Sequence, residues 1–342
     1  MKPKTLFDTA TLTFRLSRAS AQCFKMAGVQ PVKLVYRSSN QPMLPTDVIF
    51  RKYEHGGITL TVSANAIRLV SRLAGNKIAA YSYWLDQCSG DVAELSVTIS
   101  DGDLPSEAMF TPSSAGERQV AIPDPHFFNS RGLQKLRGAA TTMNRDWAGR
   151  SSRIRWRGAN TGLNRLQFHG MPEADPTVNA RLRMAMIARE LKDMDTGFVS
   201  AVWYSLDHEI LRYYDLWKSP IPEIDWINDK FAIDIDGYTN TWTNFLARLH
   251  LGCCVLKVDS QFGYRQWYYD RIKPWEHFVP VKANMSDLAE KIDWVRSNDA
   301  RAEEIARNGQ AFARTMTFES ETKAAVELIT NGVRGQKSKN AN

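Results

Sequence analysis

The order of apolar and polar runs between Lys230 and Ala313 restricts this chain more than any other feature. A buried strand ends in Asp234, Asp236 and Gly237 and gives way to a polar turn. A helix follows, then a second apolar strand, an aromatic helix over 263–275, a third short strand and two more helices. Strands alternating with helices build a parallel sheet covered by helices, and such sheets take ligands at the carboxyl ends of their strands. The acidic-glycine turn at 234–237 lies at such an end. It is the first candidate for function.

Composition sets outer limits. A chain of 342 residues is long enough for two ordinary domains, and 43% apolar with 24% charged residues is the balance of a soluble globular protein. The formal charge of +7 suits an anionic ligand, a nucleic acid or an acidic membrane surface without choosing among them. Cys253 and Cys254 are adjacent in an apolar run, which makes a bridge between them geometrically unfavourable. With Cys23 and Cys88 they form no C-x-x-C pair, so zinc has no support, and reduced thiols in a cytosolic setting are the simplest reading. The segment Met1 to Lys25 is too interrupted for a signal peptide or a membrane span. It reads as a surface helix, with a basic amphipathic helix resting on a membrane as the alternative.

Short apolar runs at Val32–Tyr36, Val48–Arg51 and Ile58–Val62 predict strands, and Ala64–Leu85 begins as a helix. Ala93–Ile99 alternates like a strand and stops at Ser100-Asp101-Gly102-Asp103, while the proline-rich stretch 104–126 reads as loop. A polar, basic stretch over 144–153 places a domain boundary near 150. Beyond it come a strand from Ile154, a helix over Asn179–Leu191 and a strand over Gly197–Leu206. The expected organisation is an N-terminal domain over 1–150, a second over 151–315, and a helix with a disordered basic tail over 316–342.

Three segments can carry chemistry. In DIDGYTNTWTN, 234–244, Gly237 permits a tight turn whose N–H groups face a ligand, with a helix N-terminus behind it that favours phosphate. Asn240 and Thr241 can cap that helix, and Asp236 can accept hydrogen bonds from sugar hydroxyls; an ordinary capped turn is the rival reading. In RIRWRGANTG, 153–162, Arg155 and Arg157 alternate with Trp156, and an arginine there can fork a pyrophosphate or simply pair with a carboxylate. In SDGDLP, 100–105, Asp101 and Asp103 can supply a general base or serve turn geometry. Lys257, after a buried strand, points at an anionic ligand or at solvent. The aromatic run with Tyr264, Trp267, Tyr268, Tyr269 and Trp275 suits sugars or bases, and a packed core equally well. The six histidines show no metal spacing, and neither a G-x-S-x-G elbow nor a phosphate-binding P-loop occurs.

Taken together, DIDG at 234–237, NTWTNFLARLHLGCCVLKV at 240–258, QWYYDRIKPWEHFVPVK at 266–282, SDLAEKIDWVRSND at 286–299 and AEEIARNGQAFA at 302–313 resemble glycosyltransferase family 90. RWRGANTG at 155–162 is similar to the family's Arg-Gly strand. The resemblance implies an α/β protein of GT-B type, two Rossmann-like domains facing each other across a cleft. It implies an inverting reaction with a UDP-sugar donor, no metal and no other cofactor. Arg157, beside Gly158, would contact the donor diphosphate. Asp234, Asp236, Gly237, Tyr238, Thr239, Asn240, Thr241, Trp242 and Thr243 would form the donor loop, with Lys257 near it. Asp101, aligned by its strand, would be the base; aligned by the following D-x-P, the base is Asp103. Eukaryotic members carry a donor-loop arginine where this chain has Thr243 and Asn244. The bacterial branch is closer, with Arg248, Lys257 or Arg265 to replace that cation. The expected acceptor is a hydroxyl on lipopolysaccharide, capsule or another surface glycan, free or lipid-linked. The expected place is the cytoplasm, with peripheral contact at the inner membrane as an option, and no nucleic-acid partner is expected. The rival of another class is a non-catalytic module binding nucleic acid or anionic glycan, against which the acidic turn argues by repelling a phosphate backbone.

Overall fold

The structure is a computed structural model that describes residues 5–39, 41–53, 56–63, 75–143, 145–162, 166, 175–202 and 205–340. The chain divides into two compact units: Met1–Gly132 with Arg265–Trp267 and Met316–Asn342, and Leu133–Tyr264 with Tyr268–Thr315. The division falls at Gly132 rather than near 150, and the first unit draws on three stretches of chain.

The first unit holds a sheet of six strands, β1 (Leu34–Ser39), β2 (Asp47–Lys52), β3 (Ile58–Ser63), β4 (Glu94–Thr98), β5 (Phe110–Thr111) and β6 (Val120–Ala121), in the order β1-β3-β2-β4-β5-β6. All its pairs are parallel except those of β2, which runs against both β3 and β4. The antiparallel strand follows from its short return to β3. Gly57 there has φ +125°, and a Cβ on it would lie 2.8 Å from the Lys33 carbonyl oxygen. The strands β5 and β6 fall inside the stretch expected as loop. The start of the helix expected over Ala64–Leu85 lies outside the described residues; its end is α2 (Gly75–Gln87), whose Ile78, Tyr81, Trp84 and Leu85 are buried.

Helix α1 (Thr5–Ala27) puts Leu16, Phe24 and Ala27 into the same core. Phe14 and Met26 of the same helix stay exposed. No helix among the described residues is long and apolar enough to cross a membrane.

The second unit carries β7 (Ser151–Ala159), β8 (Met194–Ser200), β9 (Asp229–Asp234), β10 (Cys254–Val258) and β11 (Val279–Val281) in the order β11-β10-β9-β7-β8, every pair parallel. Every residue of β9 and β10 is buried, as a strand covered on both faces requires. The chain steps outward from β7 to β8 and then returns to β9 on the other side of β7. That reversal opens a crevice at the carboxyl ends of β7 and β9, where doubly wound sheets bind ligands.

The helices of this unit are α4 (Gln134–Met143), α5 (Ala180–Arg189), α6 (Ser205–Tyr213), α7 (Asn244–His250), α8 (Leu288–Ser297) and α9 (Asp299–Thr315); α3 (Pro125–Asn129) belongs to the first unit. Residues 263–275 do not form the expected helix. They run as turns, with Gly263 and Trp275 at φ +72° and +63°. Of their aromatics Tyr264 and Tyr268 are buried, Tyr268 against Phe245 and Phe312, while Trp275 is exposed. The segment from Gly332 is also not a disordered tail, because α10 (Phe318–Asn340) continues through it and anchors Phe318, Ala325 and Ile329 in the first core.

Candidate functional site

Arg181, in the first turn of α5, occupies the crevice between β7 and β9. The helix starts there because the Asn179 side chain accepts the N–H groups of Arg181 at 3.0 Å and Leu182 at 3.2 Å. The guanidinium then reaches over the sheet. It donates to Ala159 O (3.1 Å) and Thr161 Oγ1 (2.7 Å) after β7, and to Ile235 O (3.1 Å) and Asp236 O (3.0 Å) after β9. Burial pulls its pKa down, and Asp234 and Asp236 oppose that pull. Five donors in a fixed fork suit this stapling role better than an ammonium would. Gly237 sits against it: a Cβ would lie 2.6 Å from Thr161 Oγ1 and 3.1 Å from Arg181 Nη2. Glycine is what lets the loop close on the arginine.

Behind the loop lies a buried charge cluster. Lys257 Nζ is 2.9 Å from Asp234 Oδ2 and 3.1 Å from Asp236 Oδ1, with the rings of Phe245 and Tyr269 within 6 Å. Burial pushes the Asp234 carboxyl up, but Lys257, Thr241 and Asn244 together overcome it, and the net shift is downward. Burial lowers the Lys257 pKa and the two carboxylates more than restore it, so the ammonium stays charged. Lys257 thus points neither to solvent nor to an open anion site, but holds the loop to β9 and β10.

The polar loop residues are held in detail. Thr241 Oγ1 donates to Asp234 Oδ1 at 2.8 Å, and Asn244 Nδ2 to the same oxygen at 3.0 Å. Asn240 Nδ2 donates to Tyr264 O at 3.1 Å. Asn240 and Thr241 therefore tie the loop down rather than cap α7, whose N-cap is Thr243, with no side-chain bond to the helix. Gly237 N donates to Thr239 O at 2.9 Å, and Trp242 takes φ +54°. Tyr238 and Thr243 are half-buried and Thr239 is buried. The N–H groups of Thr241 and Thr243 meet no acceptor among the described residues. Beside the loop, at the carboxyl ends of β10 and β11, a cavity of about 420 Å³ is lined by Thr177, Arg183, Gln261, Phe262 and Asn284.

Arg157 is not among the residues around Gly237. On β7 the side chains of Ile154 and Trp156 enter the core, so Arg155 and Arg157 project from the opposite face. There Arg157 donates to Asp195 Oδ1 (2.6 Å), Asp195 O (2.7 Å) and Ser219 O (3.0 Å). Arg155 bridges Asp195 and Asp229, and burial pushes the Asp229 carboxyl up to about 6 despite that guanidinium. Arg157 is thus held in a carboxylate pairing, apart from the residues that line Gly237, and Gly158 packs on the Trp156 ring. Of the three replacements expected for the donor-loop cation, Lys257 is paired as above. Arg248 is buried against Trp226, and Arg265 lies in the first unit, with its backbone bridged to Ser114. Arg181 is not among the residues that the sequence singles out. The signal that could have found it is Asn179, a capping residue that fixes where α5 begins.

In the first unit, the turn after β4 is built by Lys77. Its buried ammonium donates to Ile99 O (2.8 Å), Ser100 O (2.7 Å) and Asp101 Oδ1 (2.6 Å). Burial lowers the Lys77 pKa, and Asp101 opposes this. Ser100 Oγ accepts Gly102 N at 3.1 Å, and Gly102, at φ +98°, presses on Ser113 O so closely that a Cβ would sit 2.3 Å away. The turn is rigid, with the Asp101 side chain 40% exposed and Asp103 half-buried. Among the described residues no three His, Cys, Asp or Glu side chains gather as they would around a metal ion.

A family model described as glycosyl transferase family 90 matches residues 132–331. Uncharacterized protein 035R of invertebrate iridescent virus 3 is 30% identical over 186 residues, covering 49% of this chain and 15% of that protein. Human protein O-glucosyltransferase 3 is 26% identical over 212 residues, covering 59% of this chain and 37% of that protein. The chain thus spans well under half the length of these relatives. A crystal structure of Anabaena HepE in complex with UDP-glucose overlaps at a TM-score of 0.35 with 12% identity, covering 58% of this chain and 52% of that one. Since the matched stretch, 132–331, takes in more than half of the residues, the chain belongs to glycosyl transferase family 90.

Proposed function

We propose that this protein transfers a sugar from a UDP-sugar to a hydroxyl acceptor. The observation that carries the reading is the polar cradle at the crevice between β7 and β9, found in a chain of this family. The loop Gly237–Thr243 would receive the donor diphosphate on the N–H groups of Thr241 and Thr243, with Arg181 as the nearby cation. The cavity of about 420 Å³ would take the nucleoside, Phe262 stacking on the base and the amides of Gln261 and Asn284 reading its edge. The first unit would supply the base.

The proposed chemistry is inverting and metal-independent. Asp101, or Asp103 in its place, takes the acceptor hydroxyl proton as that oxygen attacks the anomeric carbon from the face opposite UDP. The bond to the diphosphate oxygen breaks and UDP leaves with its electron pair. Fixed dipoles stabilise that developing charge better than mobile water does. The acceptor is read as a surface glycan of lipopolysaccharide or capsule type. The names of the animal relatives favour a second reading, a protein hydroxyl.

Thermal-shift titration with a panel of UDP-sugars tests the donor, and product analysis with glycan and peptide acceptors separates the two readings. Asp101→Asn is expected to keep UDP affinity and lose turnover by about a hundredfold or more. Full activity in Asp101→Asn with none in Asp103→Asn would move the base to Asp103. Salt-dependent RNA binding with no response to any nucleoside diphosphate would favour the non-catalytic module instead.

A further inference from the structure

A second cavity, of about 340 Å³, opens in the second unit away from the carboxyl ends of its strands. It is lined by Gln134, Arg137 and Thr141 of α4, His250 at the end of α7 and Arg314 near the end of α9. Two arginines share this space and no carboxylate lines it. Neither guanidinium has an ion pair among the described residues. Arg137 uses one N–H, donated to Arg314 O at 3.3 Å, and the Arg314 guanidinium has no hydrogen-bond partner there.

The helix-end carbonyls that could draw this charge already have donors. Arg150 covers Leu251 O and Gly252 O at 2.8 and 2.9 Å, and Gln310 covers His250 O at 2.8 Å. His250 is 2% exposed, and its Nε2 has no partner among the described residues. Burial, with Arg137 and Arg314 beside it, pushes the imidazole pKa down to about 3, so the ring adds no third charge. The outcome is a cavity of small-ligand size in which like charges converge without a counterion. An anion bound between them would relieve that repulsion, and a guanidinium pair matches a phosphate best.

We propose that this cavity binds a phosphomonoester dianion, with Arg137 and Arg314 as its clamps. Such a group comes from a small soluble phosphate ester or from the headgroup of phosphatidic acid. The test uses the full chain, inorganic phosphate as probe, and sodium chloride at matched ionic strength as control. Phosphate is expected to raise the melting temperature beyond chloride. Arg314→Glu, at an exposed position, is expected to melt like the parent in chloride and to lose about tenfold or more of the apparent phosphate affinity. Flotation with phosphatidylcholine vesicles containing phosphatidic acid, lost in Arg314→Glu, would assign the lipid source. A phosphate response without flotation would assign the soluble one. Equal shifts with phosphate and chloride, or an Arg314→Glu response equal to the parent's, would overturn the proposal.

Discussion

At the scale of single residues, one guanidinium and one missing side chain make the candidate site. Arg181 ties the carboxyl ends of two strands together through four hydrogen bonds. Lysine carries the charge but cannot reproduce the fork. Arg181→Lys should therefore cost about 1–3 kcal/mol in denaturant unfolding and weaken UDP binding in a calorimetric titration. Gly237→Ala introduces a methyl 2.6 Å from Thr161 Oγ1. It should reduce UDP affinity by about tenfold or more while the far-UV spectrum stays unchanged. In the first unit, Lys77→Met keeps the bulk but removes the ammonium that orients Asp101. Turnover should fall while the dissociation constant for UDP holds, a split that a general loss of folding would not produce.

At the scale of elements, the charge cluster behind the loop has a defined pH signature. The folded Asp234 pKa lies below its ordinary value, so its contribution to stability is present above the unfolded pKa and is lost as pH falls through the folded one. Melting temperatures followed downward from neutral pH should drop steeply below about pH 4 in the parent and less so in Asp234→Asn. That variant should already be less stable at pH 7, because Lys257 is left buried with Asp236 alone. The strands β9 and β10 were legible from the short apolar stretches Phe231–Ile233 and Cys254–Leu256, and the acidic-glycine turn was legible as a strand end. The turn region 263–275 was not, because Tyr264, Trp267 and Tyr268 are spaced as on a helix while the partners of Trp267 (Glu321) and of Tyr268 (Phe245 and Phe312) lie far along the chain. The pairing of Arg157 was hidden for the same reason. Alternation placed the residue on a strand, but the carboxylate that claims it is 38 positions away. Of Arg181 only the helix start was legible, through Asn179, because its partners at Ala159 and Asp236 are 22 and 55 positions from it.

At the scale of the molecule, the two cores are fed by different parts of the chain. The first contains Phe318, Ala325 and Ile329 of α10 as well as α1, α2 and β1–β5, whereas the second draws on residues between Ile154 and Ala306. Deleting 316–342 should therefore destabilise the first unit by on the order of 5 kcal/mol and leave the second intact. Hydrogen exchange should show new protection loss in α2 and β4, with β9 and β10 unchanged.

The threading of the first unit also sets an order for its birth. A ribosome releases residues 1–132 long before the helix at 318–340 that closes over them. Throughout that interval the nascent segment presents an incomplete apolar surface, while the later-made second unit can mature nearly at once. Holdase capture during translation, and sensitivity to its speed, should fall on the part of the chain made first.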